Sequence, residues 1–393
     1  MADGGEDRTV KARTLAAISE MPATIWNRLA APEGRPFNPF VSHEFLRALE
    51  TSASATPESG WRPRHIVIEQ GDSAIGIAPC YVKAHSFGEY VFDHQWADAY
   101  ERAGRRYYPK ILCASPFTPV PGPRLIASAA ATKDALSKAL IDLANTAGAS
   151  SAHVNFIDAS DASILARNGC LLRRGIQYHW FNRGYRTYED FLSTLASRKR
   201  KALRRERRNA VEGIDIRRMS GREIGEKNWA AFWRFYQDTG ARKWGRPYLT
   251  RAFFDEIATS MTDRLMMVIA QRDGRAIAGA LNFIGGDAIY GRYWGRTEDH
   301  PFLHFEVCYH QAIEYAIERG LARVEAGAQG EHKIARGYEP VATTSAHWIA
   351  DADFRAAIAR YLAAERRHID AEFGALSAMT PYRDRPAGGD SVH

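Results

Sequence analysis

The run from Arg323 to Gly337 gathers residue types able to move protons and to stabilise developing negative charge. Read as a strand, Arg323-Val-Glu-Ala-Gly-Ala-Gln329 places Glu325, Gly327 and Gln329 on one face and Val324, Ala326 and Ala328 on the other. A carboxylate and an amide thus share a face of a strand expected to be central. The charged segment Gly330-Glu-His-Lys-Ile-Ala-Arg-Gly337 follows directly. Group transfer by such residues needs an uncharged nucleophile, hydrogen-bond donors at any developing oxyanion and contacts that hold the reactants. Glu325 is the candidate proton acceptor, since burial on a central strand raises a carboxyl pKa. The alternative is an ion pair with Arg323, Arg292 or Lys333. Gln329 either donates to the oxyanion or satisfies backbone groups, and His332 either exchanges protons or orients its neighbours. His304 and His310 lack the carboxylate-and-histidine spacing of a metal site, so they read as surface or capping residues and no metal is expected.

Phosphate-rich partners are suggested elsewhere. Between Arg198 and Arg208 eight of eleven residues are Lys or Arg, opposed only by Glu206. As a helix this run forms a basic stripe of Arg198, Lys201, Arg205 and Arg208. Alone, such a run is usually a solvated face. Here Arg242, Lys243, Trp244 and Arg246 accompany it, cations beside an aromatic ring able to stack on a base. Transfer RNA fits ahead of a nucleotide-activated sugar or a membrane headgroup. Asp93, His94, Trp96 and Asp98 end a predicted strand, Gly88 to Trp96, facing a Pro-rich insertion. They either receive the cationic or sugar part of an acceptor or form a structural turn. Tyr290, Arg292 and Glu306 complete the candidate substrate contacts.

These residues need a scaffold, and the hydrophobic periodicity describes one. Asp287 to Trp294 reads as a strand and Leu303 to Arg319 as an amphipathic helix. In that helix Phe305, Cys308, Tyr309, Ala312, Ile313 and Ala316 face inward, and His310, Gln311, Glu314 and Glu318 outward. The unit is repeated: Gly88-Glu-Tyr-Val-Phe-Asp-His-Gln-Trp96 aligns with Gly286-Asp-Ala-Ile-Tyr-Gly-Arg-Tyr-Trp294. Gly169 and Gly337 each stand ten residues before a His-Trp pair, His179-Trp180 and His347-Trp348. Each copy reads as helices, three antiparallel strands, a helix, a strand, a helix and a strand, an α/β layer pattern. The expected organisation is a disordered tail over 1–13, domains over 14–185 and 186–351, a C-terminal helix over 352–382 and a tail over 383–393.

Composition agrees with two domains. The 393 residues are 45% hydrophobic, with a net charge of +7. No apolar run approaches the roughly 20 residues that span a bilayer, and the N-terminus lacks a signal-peptide layout, so a cytoplasmic protein is expected, with peripheral membrane contact left open. Cys80, Cys113, Cys170 and Cys308 lie too far apart for a zinc knuckle or a disulfide framework.

The element order is similar to the fold of the GNAT acyltransferases, and its doubling resembles the Fem-type peptidyltransferases. More closely, Asn38-Pro-Phe, Tyr90-Val-Phe-Asp-His-Gln-Trp-Ala-Asp-Ala-Tyr100, Ser197-Arg-Lys-Arg-Lys-Ala202, Arg242-Lys-Trp-Gly-Arg-Pro-Tyr248, His304-Phe-Glu-Val-Cys308 and Glu325-Ala-Gly-Ala-Gln-Gly-Glu-His-Lys333 resemble Fem-like peptidoglycan-biosynthesis proteins, over roughly Asn38 to Tyr382. The resemblance implies two tandem GNAT-like domains, each a mixed, mainly antiparallel sheet flanked by helices. It implies N-acyl transfer from aminoacyl-tRNA to an amine such as that of a cell-wall precursor, with no bound cofactor. It also implies a functional Lys after the central strand, which falls on Lys333 or Arg336, either of which would support the oxyanion. The glycine-rich loop that binds coenzyme A pyrophosphate is missing: Gly295-Arg-Thr-Glu-Asp-His-Pro301 and Ala97-Asp-Ala-Tyr-Glu-Arg-Ala-Gly104 put acids there. The expectation is therefore a Fem-type enzyme with the acceptor between the two domains. Behind it stand an acyl-CoA-dependent enzyme on the same fold and a non-catalytic RNA or precursor-binding protein.

Overall fold

Runs of apolar residues in the second half of the chain are nearly continuous because both faces of its sheet are covered. Leu265–Arg272 is buried from Leu265 through Ala270, and Arg275–Ile284 from Ile277 through Phe283. The computed structural model describes residues 9–244, 247–327 and 330–383, with the side chains of 241–244 also outside the description. The chain forms two compact units. One comprises 1–35, 40–174 and 343–366, and the other 36–39, 175–342 and 367–393. Among the described residues no helix is long and apolar enough to cross a membrane.

In the second unit, Asp215–Ser220, Leu265–Arg272, Arg275–Ile284 and Ala288–Arg296 form an antiparallel meander. The chain then crosses over through helical residues 303–318 to Arg323–Glu325, which runs parallel to Ala288–Arg296. A parallel neighbour requires such a crossover. This ladder is short: its last pair is Tyr290 with Glu325. On the other side Glu325 faces His179 in an antiparallel register with the end of Leu171–Phe181.

The first unit holds two sheets. One is antiparallel in the order Val10–Leu15, His65–Gln70, Ser73–Ala78, Ile126–Ala127. The other pairs Trp61–Pro63 with Cys80–Lys83 and that strand with Lys110–Cys113, both antiparallel. Lys110–Cys113 then runs parallel to Ser151–Val154. The helix Ala130–Thr146 buries Leu136, Leu140 and Ala144 in the core below them. Ser42 caps the helix His43–Thr51, accepting from the Phe45 amide at 3.3 Å, while Phe45, Leu46 and Leu49 face inward as their spacing predicts.

The expected fold class, two tandem units of mainly antiparallel mixed sheet flanked by helices, is the one observed. Its closure differs from the linear reading. The run Arg174 to Phe181 reads as the last strand of the first unit, but the observed strand Leu171–Phe181 closes the sheet of the second with its end. The Ala346–Ile349 end of Glu339–Ile349, in turn, pairs with Ser151–Val154 in the first. The compact units therefore divide at 174/175 and 342/343 rather than at 185/186. The His-Trp repeat is still meaningful. His179 faces Glu325 and His347 faces His153, each across an antiparallel ladder to its unit's central strand. The other anchor is not: Ala288–Arg296 is a strand, whereas residues 88–93 are irregular and His94–Arg102 is a helix. The true counterpart of Ala288–Arg296 is Lys110–Cys113, the strand parallel to Ser151–Val154. At the N-terminus Val10–Leu15 is a strand, so order begins within the segment expected to be a tail.

His153 and His347 are buried with their Nδ1 atoms 2.6 Å apart, so one imidazole donates and the other accepts. Burial, and next the Lys110 charge, push His153 down to about 3, and burial with His153 beside it pushes His347 well below its ordinary value. A histidine that stays neutral when folded takes up its proton only on unfolding. Stability is therefore fully present above the unfolded pKa of about 6.5 and declines below it, by about 1.4 kcal/mol per pH unit for each such histidine. Urea midpoints measured from pH 7 to 5 are expected to fall more steeply for the wild type than for His347→Gln.

Candidate active site in the second unit

The site lies where two parallel strands stop pairing. Past Tyr290 and Glu325 the strands Ala288–Arg296 and Arg323–Glu325 part, and a pocket of about 90 Å³ opens there, lined by Asn282, Gly291, Arg292, Trp294, Cys308 and Ala326 among others. Its far wall is the crossover helix, which is not uniform: Leu303–Phe305 is α-helical, Glu306–His310 is a π-helical turn and Gln311–Glu318 is α-helical again. A π-turn inserts an extra residue and shifts the phase of the stripe, a device frequent at functional sites. His310, read as outward, is fully buried between the Tyr188 hydroxyl at 2.6 Å and the Glu206 carboxylate at 3.1 Å, because Tyr188, Glu206 and Arg207 cover the face it shares with Glu306 and Glu314. His304 sits beside the pocket, its ring centre 5.0 Å from Trp294 and 5.3 Å from Tyr309.

The turn Glu331–Arg336 supplies three of the predicted residues, in three different roles. Lys333 is buried, and its Nζ donates to the Gly327 carbonyl at 3.1 Å. It lies 5.8 Å from the Tyr178 ring centre and 6.0 Å from that of Tyr309. Burial pushes this amine down to about 7; Cys308 opposes the shift and Arg292 adds to it. Arg336 is engaged on all sides: Nε and Nη2 donate to Glu206 at 2.9 and 2.6 Å, and Nη1 to the His332 carbonyl at 2.6 Å. His332 pairs through Nε2 with the Tyr309 hydroxyl at 3.0 Å. It also lines an open basin of about 560 Å³ with Tyr178, Glu331 and Glu372.

Glu325 is buried, and Arg323 Nε donates to its Oε1 at 2.9 Å. Its Oε2 lies 3.8 Å from His179 Nε2, with no hydrogen-bond partner among the described residues. Arg323 also contacts Asp287 and donates to the Tyr290 hydroxyl at 3.3 Å. Ala326, the next residue, lines the pocket, whereas neither Glu325 nor Lys333 does. Glu306, read as a substrate contact, is 1% exposed and accepts from Arg207 at 2.8 and 2.7 Å. Burial would raise its pKa, but Arg207 holds it below the usual value.

The basic run forms the helix Ser197–Ala210 and sorts its charges by face. Arg198, Lys201, Arg205 and Arg208 are exposed, as the stripe predicts. Glu206 and Arg207 turn inward onto Arg336 and Glu306. Gln329 and Arg246, with the side chains of Arg242, Lys243 and Trp244, lie outside the described residues. In the first unit the predicted quartet does not converge. Asp93 and Trp96 are buried, while His94 and Asp98 are exposed. Burial would raise the Asp93 carboxyl, but Lys110 and then His153 hold it well below the usual range. Lys110 is buried and also donates to Ser86 at 2.7 Å and Glu89 at 2.8 Å. Among the described residues no cluster of His, Cys, Asp or Glu is arranged to hold a metal. Sequence reasoning missed Asn282, although a lone amide inside Ala276-Ile-Ala-Gly-Ala-Leu-Asn-Phe283 was a visible signal.

The sequence pattern of the FemAB-like family, described as peptidoglycan biosynthesis and recognition, matches residues 17–384. Among solved structures, FemX superposes with a TM-score of 0.54 at 12% identity, over 84% of this chain and 96% of its own. The C-terminal domain of a protein assigned as a lysylphosphatidylglycerol synthetase from Agrobacterium fabrum reaches 0.51 at 12% identity, over 86% and 95%. A conserved protein of unknown function from Bacteroides thetaiotaomicron reaches 0.51 at 10% identity, over 86% and 99%. At such identities the likeness is one of fold. No curated protein matches the sequence.

The Glu206 and Arg336 side chains are 11% and 7% exposed, and removing one partner of a buried pair leaves the other uncompensated. Glu206→Ala is therefore expected to destabilise the protein by about 3–5 kcal/mol, read from denaturant midpoints; a loss no larger than that of an exposed-charge variant such as Arg205→Ala would show that the pair does not hold the turn.

Proposed function

Because the chain belongs to the FemAB-like family, we propose that it is an N-acyltransferase that moves an aminoacyl group from tRNA onto a primary amine of a peptidoglycan precursor. The observation that carries this reading is the buried Lys333 amine, pushed down to about 7 and 6.0 Å from the ring centre of Tyr309, which lines the pocket at the parting of two parallel strands. A base with a pKa near the working pH is present in both forms, so one group can accept a proton and return it. The neutral acceptor amine attacks the ester carbonyl of the donor, forming the C–N bond. Its proton passes to Lys333 Nζ. As the tetrahedral intermediate collapses, the C–O bond breaks and the Lys333 ammonium returns the proton to the leaving ribose oxygen, giving an amide and uncharged tRNA. In this reading Glu325 fixes Arg323 and the end of the central strand, and the proton work moves from Glu325 to Lys333.

Two features support tRNA over coenzyme A as donor carrier. The exposed face Arg198, Lys201, Arg205 and Arg208 presents four cations toward solvent. At the start of the crossover helix, where a pyrophosphate would sit, Glu298 is held by Arg272 at 2.6 Å and also contacts Arg275, while Asp299 pairs with Arg296 at 2.5 Å. Phosphates would meet carboxylates there.

Purified protein incubated with radiolabelled charged tRNA pools and precursor amines is expected to give ribonuclease-sensitive transfer. Transfer from acyl-CoA that resists ribonuclease, or tight binding without turnover, would overturn the proposal. Lys333→Met is expected to slow transfer by about 10²–10⁴-fold and to remove the rise in rate through pH 7 as Lys333 deprotonates; Glu325→Gln is expected to retain that rise. Replacing Arg198, Lys201, Arg205 and Arg208 with Gln is expected to flatten the dependence of tRNA affinity on salt, by about 0.7–0.9 in the log–log slope for each phosphate that is no longer neutralised, without lowering the melting temperature.

A further inference from the structure

We propose that Asn282 holds the acceptor amine, its side-chain oxygen Oδ1 accepting one N–H so that the nitrogen lone pair faces the acyl carbon. This rests on the acyl-transfer reading and adds the group that orients the nucleophile. Asn282 is 1% exposed and lines the pocket. Its amide orientation is set by its own contacts: Nδ2 donates to the Met266 carbonyl at 3.3 Å and faces the Met266 sulfur at 3.7 Å. The other amide atom, Oδ1, is buried with no hydrogen-bond partner among the described residues, and it lies against Gly291, which also lines the pocket. A buried acceptor without a donor is costly to maintain, and a bound N–H would remove that cost.

The backbone around it is shaped for the same purpose. The register between Arg275–Ile284 and Ala288–Arg296 shifts at Leu281/Asn282, a bulge of the kind that re-aims a side chain beside a site. The residue opposite is Gly291. A Cβ at Gly291 would lie 3.3 Å from Oδ1, 3.7 Å from the Glu325 carbonyl and 3.8 Å from the Ala326 Cα, so the missing methyl leaves open the approach between the parting strands.

The surrounding charge specifies the ligand. An acceptor atom calls for a donor, and the cation of Arg292 on the pocket wall, which also lowers the Lys333 amine, disfavours a second positive charge. The ligand that fits is therefore an uncharged amine, the form that can attack a carbonyl. A primary amine has two N–H bonds, one for Asn282 and one to surrender to Lys333. An alcohol or a secondary amine has a single hydrogen and must give up one of these interactions, so the pair selects primary amines.

Glycinamide serves as a probe, with binding followed by NMR titration from pH 6 to 9. The wild type is expected to bind it more tightly as the probe loses its proton. Asn282→Leu is expected to weaken binding about tenfold at pH 9, the value of one good hydrogen bond. Gly291→Ala, which needs no unusual backbone conformation, is expected to weaken it comparably while the melting temperature stays near that of the wild type. Asn282→Asp keeps an acceptor but adds a charge that favours the ammonium, so it is expected to bind glycinamide at pH 6, where the wild type does not. Unaltered affinity in both Asn282→Leu and Gly291→Ala, or no glycinamide binding by the wild type, overturns the proposal. Asn282-dependent binding by a protein that transfers nothing from any donor supports the amine subsite and sinks the acyl-transfer reading.

Discussion

Two guanidinium–carboxylate pairs, each with one buried partner, hold the second unit's site together. Glu206 and Arg207, adjacent on the helix Ser197–Ala210, grip Arg336 of the turn that carries Lys333 and Glu306 of the π-turn that carries Cys308 and Tyr309. Each pairing is bidentate, so it restrains orientation as well as distance. The segment that presents an exposed basic face is therefore the one that sets the pocket wall and the near-neutral amine. Ion pairs this well hydrogen-bonded offset their desolvation cost only because both partners are present.

The two central strands carry related pairings with different chemistry. Glu325 faces His179 at the second unit's core, and His153 faces His347 at the first's. Around Glu325 the ladder ends early and a pocket opens. Around His153 the neighbourhood is filled instead: Lys110, Asp93, Glu89 and Tyr107 bond one another within a core that also contains Trp96. Groups that bond one another in a packed core rigidify a fold, whereas a pocket leaves room for a ligand to meet the groups around it. Duplicated scaffolds can thus divide into a half that is packed shut and a half that is not.

Much of the local structure was legible. The inward stripe of the helix at Phe45, Leu46 and Leu49, the cap at Ser42, the antiparallel meander around Asp273-Gly274 and the exposed stripe at Arg198, Lys201, Arg205 and Arg208 all follow from short-range periodicity. The candidate site was legible in part. Lys333 was placed after the central strand, yet its environment could not be read, because burial by Tyr178 and Tyr309 comes from residues distant in sequence. Glu325 was recognised as buried and charged; the choice between base and ion-pair partner depended on where Arg323 turned. His310 was read as outward, but Tyr188 and Glu206, distant in sequence, cover the polar face of its helix, which periodicity alone does not reveal.

The sequence by itself determined the family, the doubled mixed-sheet architecture and the segments carrying charge, because these reside in local patterns and motifs that survive without knowledge of packing. Only the tertiary structure decided which strand closes which sheet, which of eight clustered cations face solvent and which lock the site, and that a buried amide oxygen at Asn282 borders a pocket. Each of those depends on pairings between residues far apart in the chain. Their energies are comparable among several alternatives until the whole core is assembled, and no local signal distinguishes them.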